Sequence, residues 1–319
     1  MTEIVISHAI ELATQKVLAL AFDPDGRRLA AGDRDGFIHI IDAETGEVLR
    51  TLGRHVEFVY ALAFDPDTGH LISSGKDKSL RVWNIDDGTF IRDESGIFMG
   101  AAARTLSAQG CRQNVRSHTM TVRTIACEPG GVMATGAQDC KVKFWRHGDP
   151  IRTYDWHSAP VTAVRFAPET GILYSSSQDR TIRSWNETTG AVIHKYCGHN
   201  AGICGFDFID ESRFVSVDES GIVILWHTAS ESIDSIVYTA SRKLTCAHYD
   251  RTCERLILGA EDGAIEIVHL RDIVAGSPDV DTAVCSMRLH ASAVRCIDSA
   301  SGRIASGDNS GKVMISVEV

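Results

Sequence analysis

Ser79-Leu80-Arg81-Val82-Trp83 decides the fold, because the chain writes it again. The same alternation ending in tryptophan returns as Lys141-Val142-Lys143-Phe144-Trp145 and Thr181-Ile182-Arg183-Ser184-Trp185, with a more apolar version in Ile222-Val223-Ile224-Leu225-Trp226. Apolar and polar side chains alternating with a period of two mark a half-buried β-strand. In the same register Ile41, Val268 and Ser316 stand where tryptophan is missing, so the seven marks lie 42, 62, 40, 41, 42 and 48 residues apart. The underlying period is about forty residues with two insertions, the spacing of a repeat architecture.

Working outward from Trp83, each unit reads as four strands. Val59 to Phe64 is an apolar strand, Asp65-Pro66-Asp67-Thr68-Gly69 a turn, His70 to Ser74 a second strand, and Gly75-Lys76-Asp77-Lys78 a tight turn into the tryptophan strand. Asp86-Asp87-Gly88 turns the chain towards a fourth strand, expected near Thr89 to Asp93. One such sheet cannot bury both faces, whereas seven copies set radially cover each other and leave only short edges.

Other residues recur with the tryptophan. A histidine opens units at His55, His118, His157, His199 and His290, each followed four residues later by Val or Ile. Asp77, Asp139 and Asp179 precede their tryptophans by six residues, and Ser73, Thr135 and Ser175 precede the aspartates by four. The fifth unit keeps His199, Ser216 and Trp226 but has Ser220 at the aspartate position, with Asp218 displaced by two. In this combination the chain resembles the WD-repeat β-propeller family over essentially its whole length. Gly198-His199 preserves the family's Gly-His pair; no unit ends in Trp-Asp, since Asn84, Arg146, Asn186 and His227 follow the four tryptophans.

The resemblance implies an all-β, seven-bladed propeller of four-stranded antiparallel blades. It also implies a buried hydrogen-bonded network from aspartate through histidine and Ser or Thr to the indole. Expected networks are His55, Ser73, Asp77 and Trp83; His118, Thr135, Asp139 and Trp145; His157, Ser175, Asp179 and Trp185; and the partial set His199, Ser216 and Trp226. A catalytic Ser/His/Asp reading is disfavoured, because a hydrolase needs one accessible nucleophile beside an oxyanion hole rather than three copies at a fixed period.

Seven units take up all 319 residues, so a single propeller is expected over 1–319. The last strand, Lys312 to Val317, is the third of its unit, and the segment from Glu3 to Leu12 is expected to complete that blade and close the ring. Insertions are expected at about 94–114, between the second and third blades, and at about 272–281 in the sixth.

Composition bounds the function. With 44% hydrophobic and 23% charged residues the chain is neither disordered nor fibrous, and 32 Lys plus Arg against 42 Asp plus Glu lack the global basic footprint of a duplex-binding protein. Met1-Thr2-Glu3-Ile4-Val5-Ile6-Ser7 carries no secretory pattern, so an intracellular protein, cytoplasmic or nuclear, is expected. The apolar runs Val17 to Phe22 and Ile222 to Trp226 fall far short of the roughly 18 residues of a membrane span. Nine scattered cysteines without a Cys-x-x-Cys pair favour reduced thiols. The one metal-like cluster, Cys197, His199 and Cys204, competes with the network for its histidine, so no metal and no cofactor is expected.

What remains is surface recognition. In the family, the turns entering each first strand and those joining the second and third strands crowd one rim. Here the first set holds Lys16, Phe58, Thr121, Pro160, Gly202, Lys243 and Ala293, and the second Arg34, Lys76, Gln138, Gln178, Glu219, Glu261 and Asn309. Phe58 beside Lys16, Arg34 and Lys76 has the composition of a binding hot spot. The larger insertion adds Phe98, Met99 and Arg104 as candidate partner contacts, with a short packing helix as the competing reading. The expected function is a non-catalytic scaffold that binds proteins or peptides through this rim. The alternatives are an RNA-associated subunit, with Arg104, Arg112 and Arg116 on phosphates, and an enzyme or small-ligand site in the channel.

Overall fold

The computed structural model describes residues 4–12, 16–53, 55–89, 115–116, 118–270 and 284–318. Turns such as Asp65 to Gly69 reverse the chain because Asp65 accepts the Asp67 amide and the Thr68 hydroxyl, while Gly69 takes a left-handed φ of 68°. The strands between these turns pair into seven four-stranded antiparallel sheets arranged as the blades of a propeller. The blades' first strands are Val17–Phe22, Val59–Phe64, Val122–Glu128, Val161–Phe166, Ile203–Phe208, Leu244–Asp250 and Val294–Ala300.

The ring closes as expected. Ile4–Glu11 pairs antiparallel with Lys312–Glu318, from Ile4 opposite Glu318 to Glu11 opposite Lys312, and so becomes the fourth strand of blade 7.

One boundary differs from the sequence reading. Blade 2 receives its fourth strand from Val115–Arg116, with Ser79 opposite Arg116 and Leu80 opposite Val115. Of the expected strand near Thr89 to Asp93, residues 90–93 lie outside the described residues. The Asn84–Thr89 turn lies at the end of the blade opposite Lys76, and Val115–Arg116 belongs to the same blade, so the larger insertion falls in sequence within blade 2. The insertion at 94–114, with Phe98, Met99, Arg104 and Arg112, and the one at 272–281 lie outside the described residues. The second falls in sequence between Ala264–His269 and Val284–Arg288, the third and fourth strands of blade 6.

Packing between blades makes the core, since each buried cluster spans one seam. Ala30, Ile38 and Leu52 of blade 1 meet Val59, Leu71 and Trp83 of blade 2. Tyr174, Tyr196, Phe206, Phe208, Phe214 and Trp226 fill the seam between blades 4 and 5. Between blades 6 and 7 the cluster is aliphatic: Ile257, Ile265, Ile267, Val294 and Ile304. The four repeated tryptophans are 1–3% exposed and face the preceding blade, which is why a β-sheet pattern tolerates so large a side chain at one position per unit.

All seven first strands carry a register shift after their first residue: Val17/Ala19, Val59/Ala61, Val122/Thr124, Val161/Ala163, Ile203/Gly205, Leu244/Cys246 and Val294/Cys296. A bulge leaves one residue unpaired and re-aims its side chain. The extra residues are Leu18, Tyr60, Arg123, Thr162, Cys204, Thr245 and Arg295, and all seven line the central channel.

Candidate functional site

The recurring polar residues form directional hydrogen-bond chains. The indole N–H of Trp83, Trp145, Trp185 and Trp226 donates to the hydroxyl of Ser73, Thr135, Ser175 and Ser216 at 2.8, 2.9, 2.8 and 2.7 Å. Those hydroxyls lie 2.7, 2.9, 2.8 and 2.6 Å from Nε2 of His55, His118, His157 and His199. Because an indole only donates, the hydroxyl accepts from it and donates its own O–H to Nε2, and the neutral imidazole donates from Nδ1 to a carboxylate. Asp77, Asp139 and Asp179 accept at 2.9, 3.0 and 2.8 Å.

In blade 5 the acceptor is Asp218, 2.9 Å from His199 Nδ1, and Ser220 donates to Asp218 at 2.6 Å. The displaced aspartate thus completes the chain that the sequence left partial. Blade 7 carries the same variant, with His290, Ser306, Asp308 and Ser310, but Ser316 stands in place of the tryptophan. The two forms differ in their turns. With aspartate in the turn, the next residue is Lys78, Cys140 or Arg180 at φ 65°, 64° or 69°; with aspartate ending the strand, Gly221 and Gly311 take 96° and 91°. Blade 1 also ends its second strand in a buried aspartate, Asp33, which accepts from His39 Nε2 at 3.0 Å.

These chains have no catalytic geometry. Ser73, Thr135, Ser175 and Ser216 are fully buried and engaged on both sides, and Ser306 is fully buried against His290, so none offers a reachable nucleophile. His199 has both nitrogens occupied, which removes it from any site with Cys197 and Cys204. Among the described residues every cysteine is a free thiol, and no cluster of three or more His, Cys, Asp or Glu is arranged to hold a metal. No helix is long and apolar enough to cross a membrane.

The two sets of turn residues meet pairwise in every blade. The amides of Arg34, Lys76, Gln138, Gln178, Glu219, Glu261 and Asn309 donate to the carbonyls of Lys16, Phe58, Thr121, Pro160, Gly202, Lys243 and Ala293 at 2.9–3.1 Å. One rim therefore carries both sets. Arg34 of blade 1 and Lys76 of blade 2 both approach the half-buried Phe58 ring, at 5.3 and 4.9 Å from its centroid. Lys76 also pairs with Glu57 at 2.6 Å. Lys16 and Phe58 line the channel mouth together. On blade 6 Lys243 and Glu261 approach to 3.8 Å and Arg242 binds Asp262, so the rim carboxylates there are neutralised locally.

The channel has a cavity of about 490 Å³ and an uneven wall. Arg165 of blade 4 lines the cavity and begins a run of ionisable side chains on the first strands of blades 4 to 7. Asp207 lies 3.9 Å from Arg165 and 3.5 Å from His248, which is 3.7 Å from Asp298. Asp298 in turn accepts the Phe22 amide of blade 1 at 2.7 Å, a polar stitch across the closing seam.

Sequence reading missed these channel residues, because a bulge breaks the period of two on which facing is inferred. It also missed an exposed apolar arc on the loops entering blades 2 to 4: Val56, Met120 and Trp156 are 70%, 48% and 59% exposed. Trp156 is the one tryptophan outside the repeat, adjoining His157 rather than ending a strand.

Comparison with known proteins accounts for the repeat. A family model described as WD40, WD domain, G-beta repeat, matches residues 5–42, 46–84, 109–146 and 148–186. The chain is a WD40-repeat propeller. The WD40 β-propeller domain of Doa1 superposes with a TM-score of 0.80 at 18% identity, over 99% of this chain and 97% of that one, a likeness of fold. Among curated relatives, the pre-mRNA-splicing factor cwf17 of Schizosaccharomyces pombe is 24% identical over 60% of this chain. A U3 snoRNP-associated protein-like protein of Arabidopsis thaliana is 32% identical over 49%, and the periodic tryptophan protein 2 homolog of Dictyostelium discoideum 41% identical over 48%. The alignments span 60%, 32% and 22% of those three proteins, less than two thirds of each. The WD40 family model covers blades 1 to 4, and the blade 5 and 7 chains show why the pattern fades after them: aspartate has moved two residues and the Trp83 equivalent of blade 7 is serine.

Proposed function

We propose that this WD40 propeller is a non-catalytic intracellular scaffold, working in the nucleus or cytoplasm, that binds a protein or peptide through the rim of blades 1 and 2 and holds it within a multiprotein complex. The observation that carries this reading is Phe58, placed at the channel mouth with Arg34 and Lys76 against its ring. An aromatic with cations at a rim offers apolar area at its centre and charge at its edge, the composition of an interface hot spot. The buried hydroxyls and occupied histidines support a role without catalysis. Relatives named for pre-mRNA splicing and for association with the U3 snoRNP support work inside a large assembly.

Native affinity purification with mass spectrometry tests the reading, comparing wild type with Phe58→Ala plus Lys76→Glu. The variant loses partners while melting at the wild-type temperature; an unchanged partner set overturns the rim as the docking site. The names of those two relatives also favour a second reading, a subunit of an RNA-associated complex. Direct RNA contact then requires an affinity that falls steeply with salt.

A further inference from the structure

Three cations stand at the channel mouth against one carboxylate on the same wall, Glu219, that is unengaged among the described residues. Bulges in the first strands of blades 3 and 7 put Arg123 and Arg295 into the channel, and Lys16 enters from blade 1. Among the described residues none of the three makes an ion pair. Arg295 Nε donates to Asn309 at 2.9 Å, which orients its guanidinium and leaves the charge unneutralised. Burial holds the pKa of Arg123 below its ordinary value, Tyr60 and Glu219 oppose that, and the like charge of Arg295 reinforces it. The two glutamates on this wall reduce the imbalance without removing it, because Glu261 is already engaged by Lys243 and Glu219 offsets only one of the three cations.

Keeping like charges together in a partly enclosed space is unfavourable unless something anionic completes it. A net charge of −10 makes this local excess the more specific. Guanidinium groups present paired N–H donors that match a carboxylate, and a recess with low-dielectric walls strengthens the match.

We propose that the channel mouth is an anion site that takes the carboxylate side chains of an acidic peptide, with Arg123 and Arg295 as the principal contacts and Lys16 beside them. The proposal rests on the reading that this rim receives a protein partner, and names the chemistry of that partner. Phe58 joins the two regions, since its ring meets Arg34 and Lys76 on the rim while lining the cavity that holds Lys16 and Arg123. An acidic segment with an apolar residue beside it satisfies both at once.

Fluorescence anisotropy with labelled hexaglutamate, hexalysine and hexauridylate tests this on the full chain. Wild type binds hexaglutamate in preference to the other two, and the affinity drops as salt rises. Arg123→Met plus Arg295→Met weakens hexaglutamate binding by roughly tenfold or more. Arg123→Lys plus Arg295→Lys retains most of it, and Lys195→Met plus Arg303→Met, which removes two cations elsewhere, leaves it unchanged. Equal affinity in wild type and the double methionine variant overturns the proposal, as does preference for hexalysine or hexauridylate, or equal loss in the double lysine variant. Should hexaglutamate fail to bind while Phe58→Ala plus Lys76→Glu still loses partners, the acidic chemistry is wrong and the rim stands.

Discussion

His290 donates to Asp308 at 3.0 Å and sits 2.7 Å from the Ser306 hydroxyl in a blade where no indole completes the chain. Ser316 occupies the tryptophan's register, and its buried hydroxyl has no hydrogen-bond partner among the described residues. The two serines therefore respond oppositely to truncation. Ser306→Ala orphans the histidine and costs about 1–3 kcal/mol, whereas Ser316→Ala removes an unsatisfied group and is neutral or slightly stabilising. Denaturant unfolding of the two variants checks the contrast.

Asp218 gathers the Ser220 amide, the Ser220 hydroxyl, the Ile222 amide and His199. Asp218→Ala strands all four and costs at least about 2 kcal/mol, while Ser220→Ala loses a contact at the edge of the chain and costs less than about 1 kcal/mol. Thermal melts of both variants measure the difference. A larger loss from Ser220→Ala would show that the aspartate position had not shifted in blade 5.

Acid weakens the propeller in two stages. Burial pushes the pKa of His55, His157, His199 and His290 below the ordinary 6.5, so the unfolded chain takes up protons there that the folded chain refuses. Stability is full above pH 6.5 and declines as pH falls towards the folded values. Burial alone would raise the carboxyls of Asp77, Asp139 and Asp179, but their histidine partners and nearby hydrogen-bond donors hold them well below 3.8, Asp139 at about 2. Their contribution is present above pH 3.8 and lost as pH falls further, which steepens the decline. Melting temperature measured from pH 8 to pH 3 traces both stages; a flat profile down to pH 5 contradicts the neutral-histidine assignment.

Ring closure depends on Ile4–Glu11. Deleting residues 1–12 exposes the Lys312–Glu318 edge and removes Leu12 from the seam between blades 7 and 1. A sharp fall in melting temperature is expected, with protection from hydrogen exchange lost first in blade 7. Unchanged melting would mean that the seam holds through Asp298 and the Val17, Cys296 and Ile315 cluster without the strand.

Trp83, Trp145, Trp185 and Trp226 made seven blades legible because each indole must fill one seam and find one acceptor, a double demand that leaves a fixed spacing. Ring closure was legible from the strand count at the two ends. The pairing of Val115–Arg116 with Ser79–Leu80 was not, since no turn signal places those two residues beside blade 2. Asp218 and Asp308 escaped the pattern because two turn geometries deliver a carboxylate to the same histidine nitrogen from positions two residues apart. On the candidate rim, Lys16, Arg34, Phe58 and Lys76 were found through family topology, while Arg123 and Arg295 depend on a bulge that alternation cannot reveal. Phe98, Met99 and Arg104 lie outside the described residues, and their part in binding is a proposal.

Site-specific photo-crosslinking tests docking at the rim most directly. A photoreactive residue replaces Phe58 in one protein and Ile236, 59% exposed on the outer strand of blade 5, in another. The account predicts that partners crosslink from position 58 and not from position 236. Crosslinking from 236 with none from 58 would contradict it.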